Sequence, residues 1–120
     1  MTFHVDIVLK GRDFAVTEAV SISHGDPSTW GDEAVRDVLT EVLRAIDRVE
    51  HPDAPANRPV SLRGFSWIVE PSEGQVVVAI EIPMGAAVAG PFALPQHDLE
   101  MMIGRVVKAE RAQTAPQTVH

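Results

Sequence analysis

The sequence predicts a two-layer α+β fold, in which a four-stranded, mostly antiparallel sheet carries two helices on one face. Three patterns predict it: period-two alternation near the start, apolar residues at helical spacing in two later segments, and a Pro/Gly turn between β-branched runs. In chain order they give β-β-α-β-β-α. Each hairpin precedes a helix whose single apolar stripe needs a cover, so both helices are expected on the same face.

The first hairpin is expected from residues 3–10 and 14–23, joined by a tight turn at 10–13. On the first strand, apolar side chains recur at every second position: Phe3, Val5, Ile7 and Leu9. Glu18 falls on the apolar side of the second strand. It indicates either a bulge near that position or an edge strand where the carboxylate reaches water.

The first helix is predicted over residues 31–50. Its apolar residues are spaced three, four and seven apart and its charged residues lie opposite. Asp26, with Pro27 after it, and Ser28 or Thr29 are candidate helix caps. Three prolines in residues 51–59 end the helix.

A second hairpin and a second helix complete the predicted fold. Val60–Glu70 and Gln75–Ile82 flank the turn, and a bulge at Gly64 explains why the apolar parity changes within the first strand. The second helix is predicted over about 96–111. Residues 1–111 are therefore expected to form a single domain, and 112–120 a flexible C-terminal tail.

Residues 83–95 form the most unusual segment of the sequence. No residue from Ile82 through His97 carries a fixed charge, and its glycines and prolines argue against a regular element, so an apolar loop is predicted. Prolines on both sides of Phe92 restrict the direction of its ring, which favours a binding role at low entropic cost. The residues expected to contact a ligand or partner are Met84, Phe92, Leu94 and His97.

Composition and charge make several function classes unlikely. The 17 acidic and 10 basic residues give this acidic protein a net charge of -7, which disfavours nucleic-acid binding. The absence of cysteine removes thiolate metal sites, disulfides and thiol nucleophiles. No histidine pair has the i, i+4 helical spacing, so neither a metal nor another cofactor is expected. No apolar run is long enough to span a membrane, and no secretory signal is recognisable, which predicts a cytoplasmic protein.

Two pairs of histidine and carboxylate are candidates for acid–base chemistry. His97 and Glu100 lie at i and i+3 near the start of the second helix, and His24 and Asp26 share the turn before the first. Charge near a helix start and simple capping explain the same residues without catalysis. No Walker A loop or G-x-S-x-G motif is present.

The function expected from the sequence is that of a small, non-catalytic, self-associating module. It would bind a protein partner or a small apolar ligand through the 83–95 loop. Helices on one side leave the other sheet face uncovered, and that face together with an apolar loop predicts a homo-oligomer. The alternative is a small cofactor-independent enzyme that uses one of the two histidine–carboxylate pairs.

Overall fold

A computed structural model describes residues 1–55 and 58–114, the side chains of 113 and 114 excepted. The predicted α+β class and its two helices are confirmed, but the expected four strands are wrong because the described residues form five. In chain order the elements are β1 (Thr2–Leu9), β2 (Val16–Ser21), a 3-10 helix (Pro27–Thr29), α1 (Asp32–Glu50), β3 (Ser66–Ser72), β4 (Gln75–Ile82), β5 (Gly85–Phe92) and α2 (Gln96–Thr114).

The five strands form one antiparallel sheet in the order β2-β1-β5-β4-β3. α1 packs on β1, β2 and β5, and α2 packs on β3 and on α1, so both helices lie on one face. Along β1 every second residue is buried, which is the pattern of a strand with one covered face. None of the helices in the described part of the chain is long and apolar enough to cross a membrane.

β5 is the central strand, so the prediction of a loop over residues 83–95 is wrong. A strand between two others is hydrogen-bonded along both of its edges, and the helices cover one of its faces, which explains why the residues on that face are uncharged. Gly85 is needed for close approach, because a Cβ there would lie 2.4 Å from the carbonyl oxygen of Val8. Gly90 has a φ of 126° before a cis bond to Pro91. Gly90 and Pro91 lie where the register between β4 and β5 shifts, so they fit the strand rather than exclude it.

The first hairpin is confirmed, with an unbroken register from Thr2 opposite Ser21 to Ile7 opposite Val16. This register leaves no bulge at Glu18, and the edge-strand alternative holds. β2 is an edge of the sheet, and Glu18 reaches Arg48 of α1 at 3.6 Å between charged atoms.

The second hairpin is also confirmed, but its first strand begins at Ser66 instead of Val60. Gly64, with a φ of 73°, lies in the connection before β3, so the predicted bulge within a strand is wrong there. The register shift occurs instead between β4 and β5, at Val76 and Val78.

α1 begins at Asp32 after Gly31, and the predicted cap Asp26 begins the preceding 3-10 helix instead. α2 continues through Thr114, three residues beyond its predicted end. The rest of the predicted tail, 115–120, lies outside the described residues.

Candidate functional site

The uncovered face of the sheet, here called the open face, carries the side chains that alternate with the buried ones. Its middle row runs across the sheet from Thr17 on β2 through Asp6, Val88 and Ala79 to Ile68 on β3. Val88 is 42% exposed and Ile68 is 53% exposed. Large apolar side chains therefore meet solvent at the centre of the sheet and at one edge.

An apolar stripe on this face is formed by Val8, Ala86, Val88, Ala79 and Ile68. Val8 is 43% exposed and lies opposite Ala86 of β5. Val88 is the next β5 residue on the same face, Ala79 lies opposite Val88, and Ile68 lies opposite Ala79. Asp6 beside the stripe accepts a 2.6 Å hydrogen bond from the Thr17 hydroxyl. The stripe is thus continuous over four strands and is bordered by polar groups.

A groove of about 880 Å³ lies at one end of the sheet, where β1 and β4 end and β3 and β5 begin. It continues from the open face through Val8 and Ala86, and it reaches the last turn of α2 through Arg111. A smaller cleft of about 310 Å³ adjoins it and shares Phe65 and Arg111. The groove has apolar walls and a charged rim formed by Lys10, Arg12, Arg111 and Glu81.

Several ion pairs between described residues lie away from this groove. Five arginines have carboxylate partners: Arg36 with Glu110, Arg44 with Glu41, Arg48 with Glu18, Arg58 with Asp47, and Arg105 with Asp32. Lys10, Arg12 and Arg63, at the groove and its adjoining cleft, form no ion pair with any residue in the described ranges. Three cations without an ion pair among the described residues therefore lie at or beside this groove, and Lys108 on α2 is a further cation without one.

The four predicted contact residues do not form one surface. Met84 is 50% exposed in the β4–β5 turn, where its carbonyl accepts a 2.8 Å bond from the Lys10 amide. Phe92, at the opposite end of β5, is fully buried and packs edge-on against Phe3 and Trp30 at 5.1 and 5.2 Å between ring centroids. The ring of Phe92 fills the core beneath the sheet, so this residue does not lie in a flexible binding loop.

The other two predicted residues lie close together at the far end of β5. Leu94 is half-buried against the core, and His97 is exposed at the start of α2. Both line a cleft of about 630 Å³ beside Trp30 and Met101. The length of β5 separates this cleft from Met84 and the groove.

Neither predicted acid–base pair is joined by a hydrogen bond within the described part of the chain. The His24 Nε2 atom lies 2.7 Å from an oxygen of Asp37 on α1. Asp26 instead accepts bonds from the Ser28 amide and hydroxyl, both 2.9 Å, and the amide bond holds the pKa of Asp26 below its ordinary value.

The second pair shows the same lack of contact. The Gln96 amide donates to the Glu100 carboxylate at 3.4 Å and to the Val69 carbonyl at 3.0 Å. No such bond joins Glu100 to His97 in the ranges described. The two predicted combinations, His24 with Asp26 and His97 with Glu100, are therefore not assembled by a hydrogen bond, and the carboxylate that His24 contacts is that of Asp37.

Asp47, Glu50 and His51, near the end of α1, bring three potential metal-ligand atoms within 4.8 Å of one another. Arg58 donates to Asp47 at 2.7 Å, and His51 lies 3.0 Å from Glu50. These contacts account for the cluster without an ion.

Compared with protein-family models, curated proteins and solved structures, the chain gives no match. The sequence gives no signal for the groove cations, because Arg12 and Arg111 are 99 positions apart and neither lies in a basic run.

Proposed function

We propose that the protein is a non-catalytic module that self-associates through the open face of its sheet. The observation that carries the proposal is the apolar stripe. Val8, Val88 and Ile68 are each more than two-fifths exposed and lie on one continuous surface. Contiguous apolar surface of this kind is typical of an interface, whereas single exposed apolar residues are ordinary.

The size of the open face suits a partner of the same kind. Five strands about 4.8 Å apart and roughly eight residues long, at ~3.3 Å per residue, give a flat area of about 600 Å². Side-chain relief makes the accessible area larger than this flat value. A stable interface buries about 800 Å² on each partner. Two open faces packed together therefore supply an area close to what a stable dimer needs.

Charge also favours a second copy stacked with its strands reversed. Lys10 and Arg12 lie at the groove end of the sheet, while Glu70 on the open face and Glu73 in the β3–β4 turn lie toward the other end. A two-fold axis that crosses the strands brings the basic end of one copy over the acidic end of the other. Such complementarity orients the two copies, and it disfavours the stacking in which their strands are not reversed and ends of like charge face each other.

The segment 83–95 contributes to this proposed interface as part of a strand. Ala86 and Val88 project from the open face and Met84 lies at its end, whereas Phe92 supports the strand from the core. The alternative function, a small enzyme, has less support because no hydrogen bond between described residues joins the members of either candidate pair.

Sedimentation velocity at micromolar concentration tests the proposal. The wild-type protein is expected at about twice its mass of 13.0 kDa. Ile68→Lys, on an edge strand that tolerates a charge, is expected to give monomers, since each copy would bury an unpaired charge in the interface. Val88→Asp is expected to act in the same way.

Met101→Asp is the matched control, because Met101 is 49% exposed but lies on α2 beside a different cleft. It should remain dimeric. Circular dichroism checks that each variant is folded. A monomeric wild-type protein over a wide concentration range contradicts the proposal, as does dissociation by Met101→Asp but not by Ile68→Lys.

A further inference from the structure

We infer that the groove at the Lys10 end of the sheet binds an amphipathic anion, a carboxylate or phosphate group on an apolar body. This inference goes beyond self-association and does not rest on it. It stands on two independent features of the groove: two cations, Lys10 and Arg12, that form no ion pair with a described residue, and its apolar walls.

Lys10 and Arg12 differ from the five arginines that have carboxylate partners. With a net charge of -7, carboxylates outnumber cations, and five arginines elsewhere are paired. Lys10 and Arg12 follow β1 directly and form no ion pair with a described residue. Arg111 comes from α2, nearly a hundred residues later, and lines the same groove. Lys10 and Arg12 lie two residues apart, and like charges close together repel each other; a bound anion removes that repulsion.

The walls between these charges suit an apolar body. Val8, Phe65, Ile82 and Pro83 line the groove, and Phe65 and Ile82 are half-buried against the core. At the groove, Gly85 of β5 lies close to the Val8 carbonyl of β1, with no side chain between the two strands. A volume of about 880 Å³ is in the range of sites that hold small organic ligands, roughly 300–1,000 Å³.

The charge pattern of the rim also orients the ligand. Glu81, on the open face of β4, lines the groove and repels an anion. The head group is therefore expected beside Lys10 and Arg12. A guanidinium group binds carboxylates and phosphates alike through paired hydrogen bonds, so the head group is defined as an oxyanion.

Four probes test the inference by titration calorimetry and by amide chemical shifts: octanoate, octyl phosphate, octanol and inorganic phosphate. At least one of the two amphipathic anions should bind at least 10-fold more tightly than octanol and than inorganic phosphate. Their relative affinities decide between a carboxylate and a phosphate head. The shifts should concentrate at Gly11, Gly64 and Gly85, which line the groove.

A double variant, Lys10→Ala with Arg12→Ala, should weaken that binding at least 10-fold. The charge-matched control is Arg48→Ala with Arg105→Ala, which removes two positive charges outside the groove and should leave the affinity unchanged. Equal binding of octanol, equal loss in the control, or shifts centred on Ala79 and Ile68 of the open face would each overturn the inference. Comparing the probes on the wild-type protein keeps it falsifiable even if a variant fails to fold.

Discussion

Phe92→Ala separates the core role of this ring from the contact role predicted from the sequence. Phe92 is fully buried and packs edge-on against Phe3 and Trp30. Loss of a buried phenylalanine ring costs about 3–5 kcal/mol of unfolding free energy, including the cavity left behind. Each edge-on pair contributes about 0.5–1.5 kcal/mol beyond burial. Because Phe92 is fully buried against two other aromatic rings, we expect a loss near the middle of this range, about 4 kcal/mol.

Such a loss is large for a chain of 120 residues, whose total stability is of the order of 6–18 kcal/mol. Urea unfolding at two protein concentrations measures it and shows whether association contributes. Phe14→Ala is the control, because Phe14 is 56% exposed and its truncation should cost less than about 0.5 kcal/mol. A loss below about 2 kcal/mol for Phe92→Ala, together with weaker self-association in sedimentation, would refute the core assignment.

Two glycines and one ion pair give further predictions. Gly85→Ala should lower the unfolding free energy by about 1–3 kcal/mol, because its Cβ would collide with the Val8 carbonyl oxygen at 2.4 Å. Gly104→Ala should raise the unfolding free energy by about 0.5–1 kcal/mol, because Gly104 lies inside α2 with open space at its Cβ position. Urea unfolding measures both changes, and the opposite sign for either variant would contradict the role given to that glycine. The Arg105 guanidinium hydrogen bond holds the pKa of Asp32 below its ordinary value of 3.8, so the pair stabilises the fold above that pH and its contribution is lost as pH falls through the folded pKa. Asp32→Asn should therefore cost under about 1 kcal/mol at pH 7 and lose less stability on acidification below pH 3.8 than the wild type; equal acid sensitivity of the two would contradict this.

The elements with strong periodicity could be predicted from the sequence. Alternation at Phe3, Val5 and Ile7 gave the first strand and its buried face, and helical spacing over 31–50 gave α1 to within one residue at its start. In each case one face of the element is covered and the other is solvated. The order of apolar and polar residues in the sequence therefore shows directly which side chains are buried.

β5 could not be recognised because its pattern is hidden by small residues. Ala87 and Ala89 are buried and Ala86 and Val88 are exposed, so burial alternates, but residue type hardly changes from one face to the other. Gly85 and Gly90 are favoured by the close approach of neighbouring strands, which are distant in sequence. The physical signal, a charge-free run bounded by Gly and Pro, was present and fits a central strand as well as it fits a loop.

The candidate site depends on tertiary neighbours even more than β5 does. The uncovered sheet face was expected from the placement of both helices, and its apolar stripe follows from cross-strand pairs such as Val88 with Ala79, which no local pattern supplies. The groove needs Lys10, Arg12 and Arg111 at one end of the sheet, and only the chain topology brings them there.

The arrangement of charge relates the open face to the groove. Five arginines have carboxylate partners, and the cations that lie at the groove are next to the end of the apolar stripe. Val8 and Ala86 belong to both surfaces. A ligand in the groove therefore lies at the rim of the proposed dimer interface. There its negative charge would offset the repulsion between Lys10 and Arg12 and would change the charge presented to the acidic end of a second copy. If the ligand binds the monomer and the dimer with different affinities, its binding must change the dimerisation equilibrium by the same factor.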